Sequence, residues 1–368
     1  MRALCILLLL PFAATAAPGF DDVFSPLAST NTPGLAVLIR QDGRTVYRRG
    51  FGARDLRTLA PIDAVTNFRL ASFTKQFTAA SIMLLVHDGK LRYDTALTEF
   101  FLDFPAWGRA ITIRHLLTHT SGLPDYEDLM GGGPWTAGRQ IQDGEALALI
   151  ERQPHGKFAP GTSWAYSNSA YVVLGLAVAK VSGKPFPEFL HDRIFAPLGM
   201  TGTLAFIKGK STLPNRAYGH SRRDGRFVET DQSSTSATLG DGGIYSNLTD
   251  LAKWDDALAR HTLLSEAEMR PALTPATLAG GGATRWPLEP DGDNLAPGKP
   301  VAYGYGWFLD PFQGRACMWH TGTTTGFRTF IARLPKEKIT VVILANRADL
   351  DPRDLGTRAI ERLLNPAR

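Results

Sequence analysis

The chain has 368 residues, of which 44% are hydrophobic and 20% charged, and it carries a formal net charge of +5. That balance excludes a disordered or collagen-like chain and suits a globular protein of one large or two intertwined domains. So weak a charge, with no Lys/Arg block, gives nucleic-acid binding no footing.

The N-terminus reads as a secretory signal over residues 1–16. Arg2 supplies the positive end, Leu4 to Phe12 the short apolar run, and Ala14-Thr15-Ala16 a small-x-small cleavage site. The run is too short to span a bilayer, and no other stretch reaches about 18 apolar residues, so no stable membrane anchor is expected after cleavage. A periplasmic or secreted location follows. Cys5 leaves with the signal, so Cys317 has no internal disulfide partner. It lies in the apolar run Ala316-Cys317-Met318-Trp319 and is expected to be buried in a strand.

Taken in order, Gly34 to Arg40 reads as an apolar strand. Gln41-Asp42-Gly43-Arg44 forms a hairpin turn, and Thr45-Val46-Tyr47 starts the return strand. Ser72 to His87 is expected as a helix, apolar over much of its circumference and therefore buried, with Gly89 after its end. A short helix over Ile113 to Leu117 takes Thr112 as its N-cap. Further helices are expected over Ser169 to Val181, Pro187 to Phe195 and Asp250 to Arg260. Residues 208–235 look polar and irregular, and 275–300, like 125–140, a surface loop. Strands return over Tyr305 to Leu309, Arg315 to Trp319, Phe327 to Leu334 and Ile339 to Ala345, and a helix over Leu355 to Leu364 ends the pattern. A lone hairpin is marginal in water. The economical fold is therefore α/β (α+β): one antiparallel sheet built from both chain ends, 17–71 and 301–368, flanked by helices. Residues 72–300 form a mainly helical insertion.

Three elements carry the chemistry. The first is S-x-x-K at Ser72-Phe73-Thr74-Lys75. On a helix these positions share a face, about 5–6 Å apart at Cβ. A serine hydroxyl needs an adjacent base, and a lysine serves as one only when burial or a nearby cation lowers its pKa. Alone the motif is weak, since about one copy is expected by chance in a chain this long. The second is Tyr166-Ser167-Asn168, just before an apolar helix, and the third is His320-Thr321-Gly322, just after an apolar strand. S-x-x-K enzymes employ a second element of the S-D-N type and a third of the K-T-G type, in this order. Tyr166 is placed to relay protons to a leaving group, and the Asn168 amide to bond a substrate amide. The His320 strand is placed to pair with substrate, and the Thr323 N–H to complete an oxyanion hole with the Ser72 N–H.

On these motifs the chain resembles the serine β-lactamase and penicillin-binding-protein superfamily in its class C-like branch, which also holds D-alanyl-D-alanine carboxypeptidases and esterases. The segments Phe68 to Lys75, Ile113 to Pro124, Phe158 to Gly161, Pro197 to Met200 and Gly242 to Ser246 fit as well, so nearly all of the mature chain is covered. The resemblance implies a sheet from both ends beside a helical domain. It also implies catalysis by Ser72, Lys75 and Tyr166, with Asn168, His320, Thr321, Gly322 and Thr323 on the substrate. A second Tyr-Ser-Asn stands at Tyr245-Ser246-Asn247; the family's catalytic tyrosine follows a Pro-Gly turn and precedes an apolar helix, as Tyr166 does. His320 departs from the usual lysine, which supplies a fixed charge for a substrate carboxylate, and this puts efficient β-lactam hydrolysis in doubt. Asn346, at the end of the last strand, is placed either to bind a substrate carboxylate or to serve the fold.

His115 and His119 have the i, i+4 spacing of a metal pair, but position 116 is Leu, not the metalloprotease glutamate, and a packing or capping role is preferred. Trp164 and Trp307 are possible cleft borders. No G-x-S-x-G, G-x-G-x-x-G or P-loop is present. No cofactor or metal is called for. Three functions stay open: a hydrolase of D-Ala-D-Ala-type peptides or β-lactams, a small-acyl esterase or amidase, and a silent binding or sensor protein. The partner is a small-molecule or peptide substrate, and the oligomeric state is open.

Overall fold

The computed structural model describes residues 19–27, 29–289 and 294–365. The signal and its cleavage site, with Cys5, lie outside them. Among the described residues no helix is long and apolar enough to cross a membrane.

The opening hairpin joins β1 (Leu35–Gln41) to β2 (Arg44–Phe51). Asp42 and Gly43 both turn through positive φ, 50° and 73°, the geometry of a two-residue hairpin loop matched to strand twist. Three strands near the other end, β3 (Met318–Thr324), β4 (Phe327–Leu334) and β5 (Ile339–Ala345), complete one sheet in the order β3-β4-β5-β1-β2. All its neighbours run antiparallel, and Leu35 pairs with Ala345 at one end of the seam between the two chain ends.

The two central strands are apolar at nearly every position because both faces are covered. Alternation divides them cleanly. Leu35, Val37, Ile39, Val341 and Ile343 pack with Phe20, Phe24 and the closing helix over Pro352–Leu364. Ala36, Leu38, Val342 and Leu344 face the helical part, with Leu70, Phe73 and Phe77.

That part is built around α1 (Lys75–His87) and α4 (Asn168–Ser182), with α2 (Ile113–Leu117), α3 (Asp143–Glu151) and α5 (Leu248–Ala259) about them. Thr112 caps α2 as expected, Ser167 caps α4 by accepting from the Ala170 N–H, and Gly183 closes α4 in the left-handed region. A buried ion cluster fastens α5 to the sheet. Asp255 accepts from Arg40 Nη1, Arg333 Nε and Thr340 Oγ1, each at 2.7 Å.

Several expected elements differ. The helix expected from Ser72 is a 3-10 turn over Ala71–Thr74 that becomes α-helical at Lys75. Ala71 stands at φ 50°, so the chain turns sharply just before the serine. The helix over Pro187 to Phe195 is α only over Phe186–Leu190 and widens to π over His191–Phe195. Tyr305 to Leu309 makes only isolated bridges, Tyr303 to Phe308 and Phe308 to Trp319, and the strand after it starts at Met318. Residues 208–235 contain a hairpin, His220–Arg223 with Arg226–Glu229. It lacks an apolar face, and its signal is the Asp224-Gly225 turn, both at positive φ.

Candidate active site

Ser72 lies where three layers meet, at the start of the α1 segment between the edge strand β3 and the head of α4. The left-handed Ala71 aims it out of the helix axis, and it is the one partly exposed residue of its turn. Leu70 is held on both sides: its N–H donates to Ile244 O at 2.8 Å and its carbonyl accepts from Thr329 Oγ1 at 2.8 Å. β3 comes so close here that a Cβ on Gly322 would sit 2.0 Å from the Leu70 carbonyl oxygen. Only glycine allows that strand to lie against the nucleophile's turn.

Lys75, one turn on, is fully buried. Its Nζ is 3.0 Å from Ser72 Oγ, 2.8 Å from Asn168 Oδ1 and 3.1 Å from the Asp241 carbonyl. The Tyr166 ring centroid is 4.8 Å away and that of Tyr171 5.5 Å. A buried amine with these neighbours has its hydrogen bonds directed, and the serine hydroxyl is one of its partners. Asn168 is fixed in turn, because its N–H donates to Asp125 Oδ2 at 2.8 Å. Tyr166 is half-buried and stacks on Phe308, 6.4 Å between centroids at 7°.

His320 is 1% exposed. Its Nδ1 lies 2.5 Å from the Thr321 carbonyl and its Nε2 3.2 Å from the Tyr303 hydroxyl. A carbonyl only accepts, so Nδ1 carries the proton and Nε2 accepts from tyrosine. Burial, with Lys75 close by, pushes the imidazole down to about 3. The ring is therefore neutral near pH 7 and lacks the fixed charge of the usual lysine.

His119 is the functional neighbour that the motif reading missed. It is buried at φ 60°, and its Nδ1 accepts from the Ser167 N–H at 3.1 Å. Its ring centroid lies 4.5 Å from that of Tyr166 and 4.5 Å from that of Tyr303. Burial holds it well below its ordinary pKa, so it too is neutral. The signal lies in Thr118-His119-Thr120-Ser121-Gly122 rather than in the i, i+4 spacing of His119 to His115. His115 instead serves the α2 cap, accepting from the Thr112 N–H. Among the described residues no group of three or more His, Cys, Asp or Glu is placed to hold a metal.

The cleft has two parts that share Ser72 and Thr323. One, of about 310 Å³, is lined by Arg69, Glu127, Asn168 and Asp241. The other, of about 370 Å³, is lined by Tyr166, Leu295, Phe308, His320 and Thr321. Ser72, Lys75, Tyr166, Asn168, His320, Thr321, Gly322 and Thr323 thus come together. Asn346 stands apart. It is wholly buried, its Oδ1 accepts from the Gly34 N–H at 2.7 Å, and its Nδ2 donates to Tyr218 O and Ala53 O at 3.0 and 3.1 Å. These bonds clasp the end of β5 to neighbouring loops, and the substrate-carboxylate role is dropped. Tyr245 is buried within a short strand, its hydroxyl 3.3 Å from Arg216 Nη2. Trp164 and Trp307 are core residues.

A family model described as Beta-lactamase matches residues 20–365. The chain belongs to that beta-lactamase family of serine hydrolases. Penicillin-binding protein 4* of Bacillus subtilis (strain 168) is 29% identical over 341 residues, covering 89% of this chain and 71% of that protein. A D-aminopeptidase of Gluconobacter oxydans (strain 621H) is 26% identical over 320 residues, covering 85% of this chain and 56% of that one. After the first, the curated relatives are longer proteins, of which the chain spans 56% to 64%. Among solved structures, a penicillin-binding protein from Bacillus halodurans superposes with a TM-score of 0.75 at 28% identity, over 94% of this chain and 99% of that one.

Proposed function

We propose that the mature protein is an exported hydrolase that is acylated on Ser72 and acts on amide or ester carbonyls. One observation carries the reading: Lys75 Nζ lies 3.0 Å from Ser72 Oγ and beneath the Tyr166 ring, at the floor of an open cleft. As Ser72 Oγ bonds to the substrate carbonyl carbon, its proton passes to the Lys75–Tyr166 pair and on to the departing amine or alkoxide. The N–H groups of Ser72 and Thr323 are the proposed donors to the oxyanion. A water then reverses the sequence and frees the acid. The penicillin-binding and D-aminopeptidase relatives support D-Ala-D-Ala-type peptides or β-lactams as substrates. The neutral His320 favours a second reading, an esterase or amidase whose substrate needs no cation at that point. Export rests on the signal-like residues 1–16.

The test is intact mass after incubation with benzylpenicillin and, separately, with 4-nitrophenyl acetate, using purified mature protein beside Ser72→Ala. Adducts or turnover in wild type alone support the reading. Equal behaviour of the two proteins would overturn Ser72 as nucleophile, and silence of both toward both compounds would favour a binding protein.

A further inference from the structure

The two parts of the cleft differ in charge. Glu127 and Asp241 line one with Arg69, whose guanidinium donates to the carbonyls of Gly242 and Ser236. Among the described residues no charged side chain lines the other, where His320 has both ring nitrogens engaged and its imidazole neutral. The aromatic wall of that second part is Phe308 and Tyr166, with buried tryptophans stacked behind Phe308. Phe308 stacks on Trp319 at 4.5 Å and 17°, and on Trp286 at 5.7 Å and 16°, as well as on Tyr166. Leu295, 50% exposed, closes its mouth. A carboxylate placed there would lose its water and meet no cation among the described lining side chains. Lys75, beneath the Tyr166 ring, is directed to Ser72, Asn168 and the Asp241 carbonyl.

The lining also says which end of the substrate enters. A proton donor must reach the leaving atom, and Tyr166 lines only the uncharged part, while Asn168 lines only the charged one. We infer that the leaving group lodges against Phe308 and Leu295, and that this enzyme selects substrates whose leaving group is apolar and uncharged, such as an aryl or alkyl alcohol or an amine without a carboxylate. The inference rests on the acyl-enzyme reading of Ser72. In the reaction the Ser72 Oγ–acyl bond forms, the acyl–oxygen bond to the leaving group breaks, and the Ser72 proton reaches the departing oxygen through Tyr166.

The experiment compares kcat/KM for phenyl acetate and 3-carboxyphenyl acetate, which differ by one carboxylate on the leaving group. The expected ratio is at least tenfold in favour of phenyl acetate. Leu295→Lys, at a half-exposed position, should bring the ratio down by fivefold or more, whereas Leu295→Gln, which adds no charge, should not raise turnover of the carboxylated ester. A carboxylated ester cleaved as fast as its partner by wild type overturns the inference, and so does a ratio unmoved by Leu295→Lys. Absence of Ser72-dependent turnover of both esters instead brings down the acyl-enzyme reading, and this inference with it.

Discussion

Mild acid should weaken the fold through His320, by an amount that follows from its surroundings. In the unfolded chain its imidazole takes up a proton near its ordinary pKa of 6.5; in the folded protein burial and Lys75 push that value down to about 3. The sign follows directly. The unfolded state binds the proton and the folded state refuses it, so the stability contributed above pH 6.5 is lost as pH falls from 6.5 toward 3. At about 1.4 kcal/mol per pH unit, lowering pH from 6.5 to 4.5 costs roughly 2–3 kcal/mol from this group alone. His119, shifted the same way, adds to the loss. Urea unfolding followed by tryptophan fluorescence at the two pH values measures it for wild type and His320→Asn. The variant loses the Tyr303 bond, so its absolute stability is not the readout; the difference between the two pH values is. That difference should shrink by roughly 2–3 kcal/mol, since carboxylates contribute equally to both proteins. A variant whose acid loss matches wild type would show that His320 is protonated in the fold, and the uncharged leaving-group site would lose its basis.

Asp255→Ala should lower unfolding free energy by about 3–5 kcal/mol, read from the same titrations, because it leaves the buried Arg333 without its carboxylate and takes one of two from Arg40, which keeps Asp256. An effect under about 1 kcal/mol would mean the cluster contributes little. Gly322→Ala should cost about 1–3 kcal/mol and displace Ser72, since its Cβ collides with the Leu70 carbonyl; a crystal structure with β3 unmoved would contradict this. His119→Leu should lower kcat for an ester at least tenfold, as it frees the Ser167 N–H beside Tyr166. Asn, which tolerates left-handed backbone and offers an acceptor, should recover part of it. Equal kcat for the two variants would leave His119 a packing residue only.

Much of the architecture could be read from local pattern. Asp42-Gly43 between two strand-forming runs specifies a hairpin, and Thr112 and Ser167 mark helix starts because their capping bonds close within three residues. Ser72 and Lys75 are brought within reach by helical spacing alone. The pieces near Tyr305 carry no such pattern, since isolated bridges such as Tyr303–Phe308 and Phe308–Trp319 depend on single pairings rather than on periodicity.

At the site the division is sharper. Residue type and spacing determined which groups could react, because S-x-x-K, Tyr-Ser-Asn and His-Thr-Gly each carry their chemistry locally. Charge and partnership were decided only by packing. Nothing in His320-Thr321-Gly322 says that the imidazole will lie 1% exposed between a carbonyl, a tyrosine and Lys75, and it is that burial which makes it neutral. Asn346 likewise becomes a clasp only because Gly34, Ala53 and Tyr218 converge on it from remote parts of the sequence. A side chain's identity is written in the sequence; its dielectric surroundings and its hydrogen-bond partners are set by tertiary packing, and these decide what it does.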